Sequence, residues 1–124
     1  MTRRLIWTLF FLELVMTFSL IGCILPKPAL YFDPEQLPSG IVGTPYAVTI
    51  QIYKHETPVG GMTIAQGNTL PPGLTMTFNQ DKGSAEITGT PTKSGIFNFI
   101  VTAWCYGTQT SGQTGQKEYT IQIK

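Results

Sequence analysis

A small set of side chains holds most of the chemistry this sequence offers: Cys23 and Cys105, His55 beside Glu56, and the aromatics Trp104 and Tyr106. A His–Glu pair can move protons. The stretch "YKHETP" around His55 holds no nucleophile, however, and the chain has no GxSxG, HExxH or phosphate-loop pattern. A solvated loop histidine is the expectation, with an enzyme built around His55 as a remote alternative. One histidine and one spare cysteine make a weak metal site, so no catalytic residue, metal or cofactor is expected. Cys105 falls on the apolar face of a strand pattern, where a thiol is by default buried and inert. Pairing with a cysteine of another molecule is the minority reading. Trp104 and Tyr106 fall on the opposite face, next to the uncharged, low-complexity stretch "GTQTSGQTGQ". Aromatics beside Ser, Thr, Gln and Gly have the composition of a binding surface. They could stack on a sugar ring or grip a partner protein; the plainer alternative is packing under the loops or on a membrane interface.

Length and charge bound the elements that must position these groups. The chain has 124 residues, a formal net charge of +1 and only 12% charged residues, with 13 Gly and 9 Pro. That suits one all-β domain rich in turns. No basic patch points to nucleic acid and no acidic block is present. The N-terminus stands apart: Arg3 and Arg4 precede an almost wholly apolar run, Leu5 to Leu20. A basic start, an apolar stretch and a small residue before a cut describe a helical export signal over residues 1–22. Glu13 interrupts the run at a cost of about 2.5–3.5 kcal/mol if charged, which the surrounding Leu and Phe offset.

Leu20-Ile21-Gly22-Cys23 resembles the lipobox of bacterial lipoproteins. The resemblance implies a diacylglyceryl group on the Cys23 sulfur, cleavage between Gly22 and Cys23, and acylation of the new amino group. Two other readings stay open: an uncleaved membrane anchor, and an ordinary signal peptide that leaves Cys23 to form a disulfide with Cys105. Under the lipoprotein reading, residues 23–28 are a lipidated Cys and a Pro-rich tether of roughly 15 Å. Several acyl chains would then hold the protein stably on a cell-envelope membrane. Ile24 lacks the Asp that retains enteric lipoproteins at the inner membrane, which favours the outer one. Loss of Arg3, Arg4 and Glu13 takes the formal charge from +1 to zero, leaving no net field to steer a charged partner.

From Ala29 to Lys124 the pattern is that of short strands. "ALYF" (29–32), "MTIAQ" (62–66), "LTMTF" (74–78) and "SAEITG" (84–89) read as strands, the last two as a hairpin turning at Gly83. "YAVTIQIY" (46–53) alternates, with Tyr46, Val48, Ile50 and Ile52 on one face. "IFNFIVTAWCY" (96–106) puts Phe97, Phe99, Val101, Ala103 and Cys105 on its core face, and "KEYTIQIK" (117–124) does the same with Tyr119, Ile121 and Ile123. "KHETPVGG" and the stretch 107–116 read as loops, the latter mobile. About seven strands at this spacing predict an immunoglobulin-like antiparallel β-sandwich over residues 29–124.

A set of motifs carries a second resemblance: Leu37-Pro38, Val42-Gly43-Thr44-Pro45-Tyr46, Leu70-Pro71-Pro72-Gly73-Leu74, Gly89-Thr90-Pro91, and Gly95 followed by Phe97, Phe99, Val101 and Ala103. In order and spacing they resemble the bacterial He-PIG domains, Ig-like relatives of the dystroglycan-type cadherin-like fold. "LPPGL" and "GTP" then serve as corners between sheets, where Pro pre-sets φ and Gly permits a sharp bend. Relatives often end the long strand in Ala-Thr-Asp, an Asp that can serve calcium; here Ala103-Trp104-Cys105 stands in its place, so no calcium is expected. The combined expectation is a membrane-anchored, non-catalytic envelope module that binds a protein or supports structure, with glycan binding through Trp104 and Tyr106 as the alternative.

Overall fold

The computed structural model describes residues 26–124, so the expected signal peptide, Gly22 and Cys23 lie outside the described residues. Seven strands follow in order: β1 (Tyr31–Asp33), β2 (Tyr46–Tyr53), β3 (Val59–Ile64), β4 (Leu74–Asn79), β5 (Ser84–Gly89), β6 (Gly95–Cys105) and β7 (Thr114–Ile123). They form two antiparallel sheets, ordered β1-β2-β5-β4 and β3-β6-β7. This four-plus-three arrangement is that of a constant-type immunoglobulin sandwich.

The alternation in the sequence decides which face of each strand turns inward. Tyr46, Ile50 and Ile52 of β2, Ala85 and Ile87 of β5, Phe99, Val101, Ala103 and Cys105 of β6, and Tyr119, Ile121 and Ile123 of β7 are buried together. Each large side chain fully withdrawn from water, such as Ile50, Ile87, Phe99 or Ile121, contributes about 1.5–3 kcal/mol. Two inward tyrosines need a partner for their hydroxyls. Tyr46 Oη donates to the Pro38 carbonyl and Tyr119 Oη to the Pro34 carbonyl, both at 2.8 Å, and so tie down the β1–β2 connector. That connector then crosses to the other sheet. Gly40 pairs in parallel with Ile123, and Val42 N–H donates to Lys124 O, which covers part of the free edge of β7.

Strand boundaries differ from the expectations in three places. β1 starts at Tyr31, two residues later than expected. β3 starts at Val59 rather than Met62, and β7 at Thr114 rather than Lys117. Both extensions pair with β6, in the registers Val59↔Cys105 and Trp104↔Thr114. Apart from the buried Val59, their residues are Gly, Thr and Gln, which lack an apolar period; the ladder offered by β6 recruits them. Gly60 is the extra residue of a bulge between Val59 and Gly61.

The registers sort the connections into two ends. One end gathers the β1–β2 connector, the β3–β4 and β5–β6 connections and the C-terminus. The expected corners are here, and they join opposite sheets as expected. Main chain meets main chain: Thr92 N–H donates to Pro72 O and Gly43 N–H to Pro91 O, both at 2.9 Å. Gly73 and Gly89, at φ +91° and +135°, touch the carbonyls of Thr90 and Gly73 so closely that a Cβ on either would collide. Pro71 and Pro91 are fully buried beside them. The other end gathers the β2–β3 loop, the β4–β5 turn, the β6–β7 loop and the incoming segment Pro26–Leu30.

Candidate functional site

The second end, the loop end, holds every candidate residue that the structure describes. Its organiser is Gln113, which the sequence pattern placed in a mobile loop. Gln113 is instead buried, at 6% exposure. Its Nε2 donates to Pro28 O (2.7 Å) and Lys54 O (3.1 Å), its Oε1 accepts from Glu56 N–H (2.7 Å), and its carbonyl accepts from Cys105 N–H (2.8 Å). One residue thereby joins the incoming segment and the β2–β3 loop through its side-chain amide, and β6 through its main-chain carbonyl. It also holds Lys54 in the left-handed region, at φ +62°, a conformation that costs a non-glycine residue about 1–2 kcal/mol. The sequence carries a weak signal for this role: a Gln flanked by Thr and Gly looks like any loop residue until its position next to the strand pair is known.

Trp104 and Tyr106 point away from the core, as the alternation predicts, and are 45% and 40% exposed. Their rings meet edge to face with centroids 5.2 Å apart, a favoured aromatic geometry. The indole lies over Gly60 and Gly61, where any Cβ would enter the ring. That explains two consecutive glycines inside a strand: they let a neighbouring side chain lie flat on the backbone. Tyr106 is fixed from three sides. Its hydroxyl accepts from Gln80 Nε2 (2.7 Å), its N–H donates to Pro58 O (3.0 Å), and its carbonyl accepts from Thr57 Oγ1 (2.6 Å). An open groove runs beside the indole, lined by Thr102, Ala103, Trp104, Thr114, Gly115 and Gln116. On the other sheet's outer face, at the same end, Tyr31 and Tyr53 stand opposite one another with rings 6.4 Å apart and Lys54 Nζ 5.9 Å from the Tyr31 ring centre. Sequence reasoning missed this second pair, because β1 is too short to show a period.

His55 is exposed and its Nδ1 donates to Thr57 O at 3.1 Å. It is brought to neither a nucleophile nor a carboxylate partner among the described residues, where no group of three His, Cys, Asp or Glu side chains converges. Cys105 lies on the core face, buried, and burial pushes its thiol above the ordinary range. A thiol in that state is a poor nucleophile. The incoming segment is fastened here too: Lys27 Nζ donates to Thr110 Oγ1 (3.2 Å) and to Ser111 O. The expected Pro-rich tether is therefore docked from Lys27 onward.

Comparison with known proteins agrees with the architecture. An endo-fucoidan hydrolase from glycoside hydrolase family 107 shares the fold at 22% identity and a TM-score of 0.56, over 82% of this chain. The chain spans only 14% of that hydrolase. A chimeric titin Z1Z2 matches at 17% identity and a TM-score of 0.51, over 78% of this chain and 95% of the titin chain. At such identities the likeness is one of fold. No curated protein matches. An Ig-like sandwich of this kind is a structural or interaction unit. The family model described as "Putative Ig domain" (He_PIG) matches residues 28–124, the span that contains all seven strands and both glycine corners, and the chain belongs to that family.

Proposed function

We propose that this protein is an exported, lipid-anchored module of a bacterial envelope, in which Cys23 carries the lipid and the Ig-like sandwich serves as a non-catalytic interaction or structural unit. The observation that supports this reading is the docking of Lys27–Leu30 at the loop end, through Lys27 and Gln113. Only three residues separate Cys23 from Lys27, so an acylated Cys23 would hold that end within roughly 14 Å of the bilayer. The intact mass of native protein purified from membranes tests it. The expected mass lacks residues 1–22 and carries acyl chains, and Cys23→Ser abolishes both changes. An unmodified full-length mass overturns the reading.

A second reading, glycan binding, is favoured by the groove beside Trp104, where an exposed indole adjoins Thr102, Thr114 and Gln116. Aromatic faces with flanking neutral hydrogen-bonding groups suit sugar rings. Binding to envelope glycan fragments that Trp104→Ala leaves unchanged would remove that reading.

A further inference from the structure

Four exposed aromatics occur among the described residues, Tyr31, Tyr53, Trp104 and Tyr106, and all four stand at the loop end. The other exposed large apolar residues, Ile41, Val42 and Ile96, lie at the opposite end. The aromatics come in two contacting pairs, one on the outer face of each sheet. Packed sheets are only about 10 Å apart, so both pairs can reach one plane across the end of the sandwich. The chain enters the fold at that same end, through Pro26–Leu30, and the apolar run of the sequence precedes it.

We propose that the loop end seats on a lipid bilayer, with Trp104 and Tyr106 on one side and Tyr31 and Tyr53 on the other forming an aromatic collar in the headgroup region. This inference rests on the anchored reading above and adds an orientation to it. Indole and phenol rings have an apolar body and a polar tip, and they concentrate where hydrocarbon meets water. A sugar held in the groove beside Trp104 would use one face of the sandwich and leave the Tyr31–Tyr53 pair idle. A bilayer meets both faces at once. Charge contributes little: Lys27, Lys54 and Lys82 stand at this end with Glu56 and Asp81. The contact is therefore aromatic in origin and insensitive to salt.

Trp104 is the only tryptophan besides Trp7, so Trp7→Phe protein purified from expressing bacteria in its processed form reports on Trp104 directly, whether or not residues 1–22 have been removed. This protein is reconstituted with phosphatidylethanolamine–phosphatidylglycerol vesicles brominated near the headgroup end of the acyl chains. The expected result is flotation with the vesicles, at least two-fold quenching of Trp104 by the brominated lipid, and loss of access to aqueous iodide. Adding Tyr31→Ser and Tyr53→Ser, both at exposed positions, should cut the lipid quenching at least two-fold while flotation persists. Flotation with Trp104 open to iodide and unquenched by lipid overturns the collar and leaves the anchor standing. So does shielding from iodide without lipid quenching, which would place the chain's own apolar run over the indole. Quenching indifferent to the two tyrosines marks a one-sided site and also overturns the collar. Failure to float overturns the anchored reading and the collar with it.

Discussion

At the corner end of this sandwich, main chain touches main chain: Gly73 lies on the Thr90 carbonyl, Gly89 on the Gly73 carbonyl, and Gly43 N–H bonds to Pro91 O. At the loop end main chain meets main chain too, with Gly112 on the Cys105 carbonyl and Tyr106 N–H bonded to Pro58 O, but the segments farthest apart in the chain are bridged by side chains, through the Gln113 amide and the Tyr106 hydroxyl. The difference explains where the family motifs fall. "LPPGL", "GTP" and "VGTPY" gather at the end where only Gly and Pro fit. A backbone contact of that kind accepts no side chain, so it fixes sequence without conferring chemistry. The side-chain-built end can exchange residues while keeping its fold, which is what an interaction surface requires.

The sharpest way to break this comparison is to add one methyl group to the corner. Gly73→Ala combines a positive φ with a collision against backbone that cannot swing aside. A loss of about 3–4 kcal/mol is expected in urea unfolding. A loss below about 1 kcal/mol would show that the corner yields and that the two ends are not mechanically distinct.

Gln113→Ala probes the loop end in the same assay. It removes three hydrogen bonds and leaves the Glu56 N–H and the Pro28 and Lys54 carbonyls without their partner. About 2–3 kcal/mol is expected. Exchange of the Glu56 and Cys105 amides should speed up, while the corner amides of Gly43 and Thr92 stay protected. Uniform loosening of both ends would contradict the separation.

The smallest effect concerns the two tyrosine clamps and pH. Burial pushes the Tyr46 and Tyr119 phenols above their usual value of 10, and Asp33 adds to the rise at Tyr119. The folded state keeps protons that the unfolded chain releases near pH 10. The protein is therefore expected to hold its stability up to about pH 10 and to lose it progressively above. Tyr119→Phe, which loses the bond to Pro34 O, should cost about 1 kcal/mol at pH 7 and flatten that alkaline decline. Denaturant midpoints measured from pH 7 to 11 check both. An unchanged decline would assign it to other groups.

Period-two alternation, written plainly in Tyr46–Tyr53, Ile96–Tyr106 and Lys117–Lys124, determined the strands, their inward faces and hence the sandwich, because burial of one face of a sheet is a local, repeating requirement. The same residues determined that Trp104 and Tyr106 look outward. Tertiary structure alone decided the rest. Val59–Gly61 and Thr114–Gln116 became strand because β6 offered them a ladder. Gln113 became the organiser of one end because two distant segments met around its side chain. Tyr31 and Tyr53 joined Trp104 and Tyr106 at that end because of strand order. These are contacts between residues far apart in the chain, and no short-range pattern encodes which segments will meet.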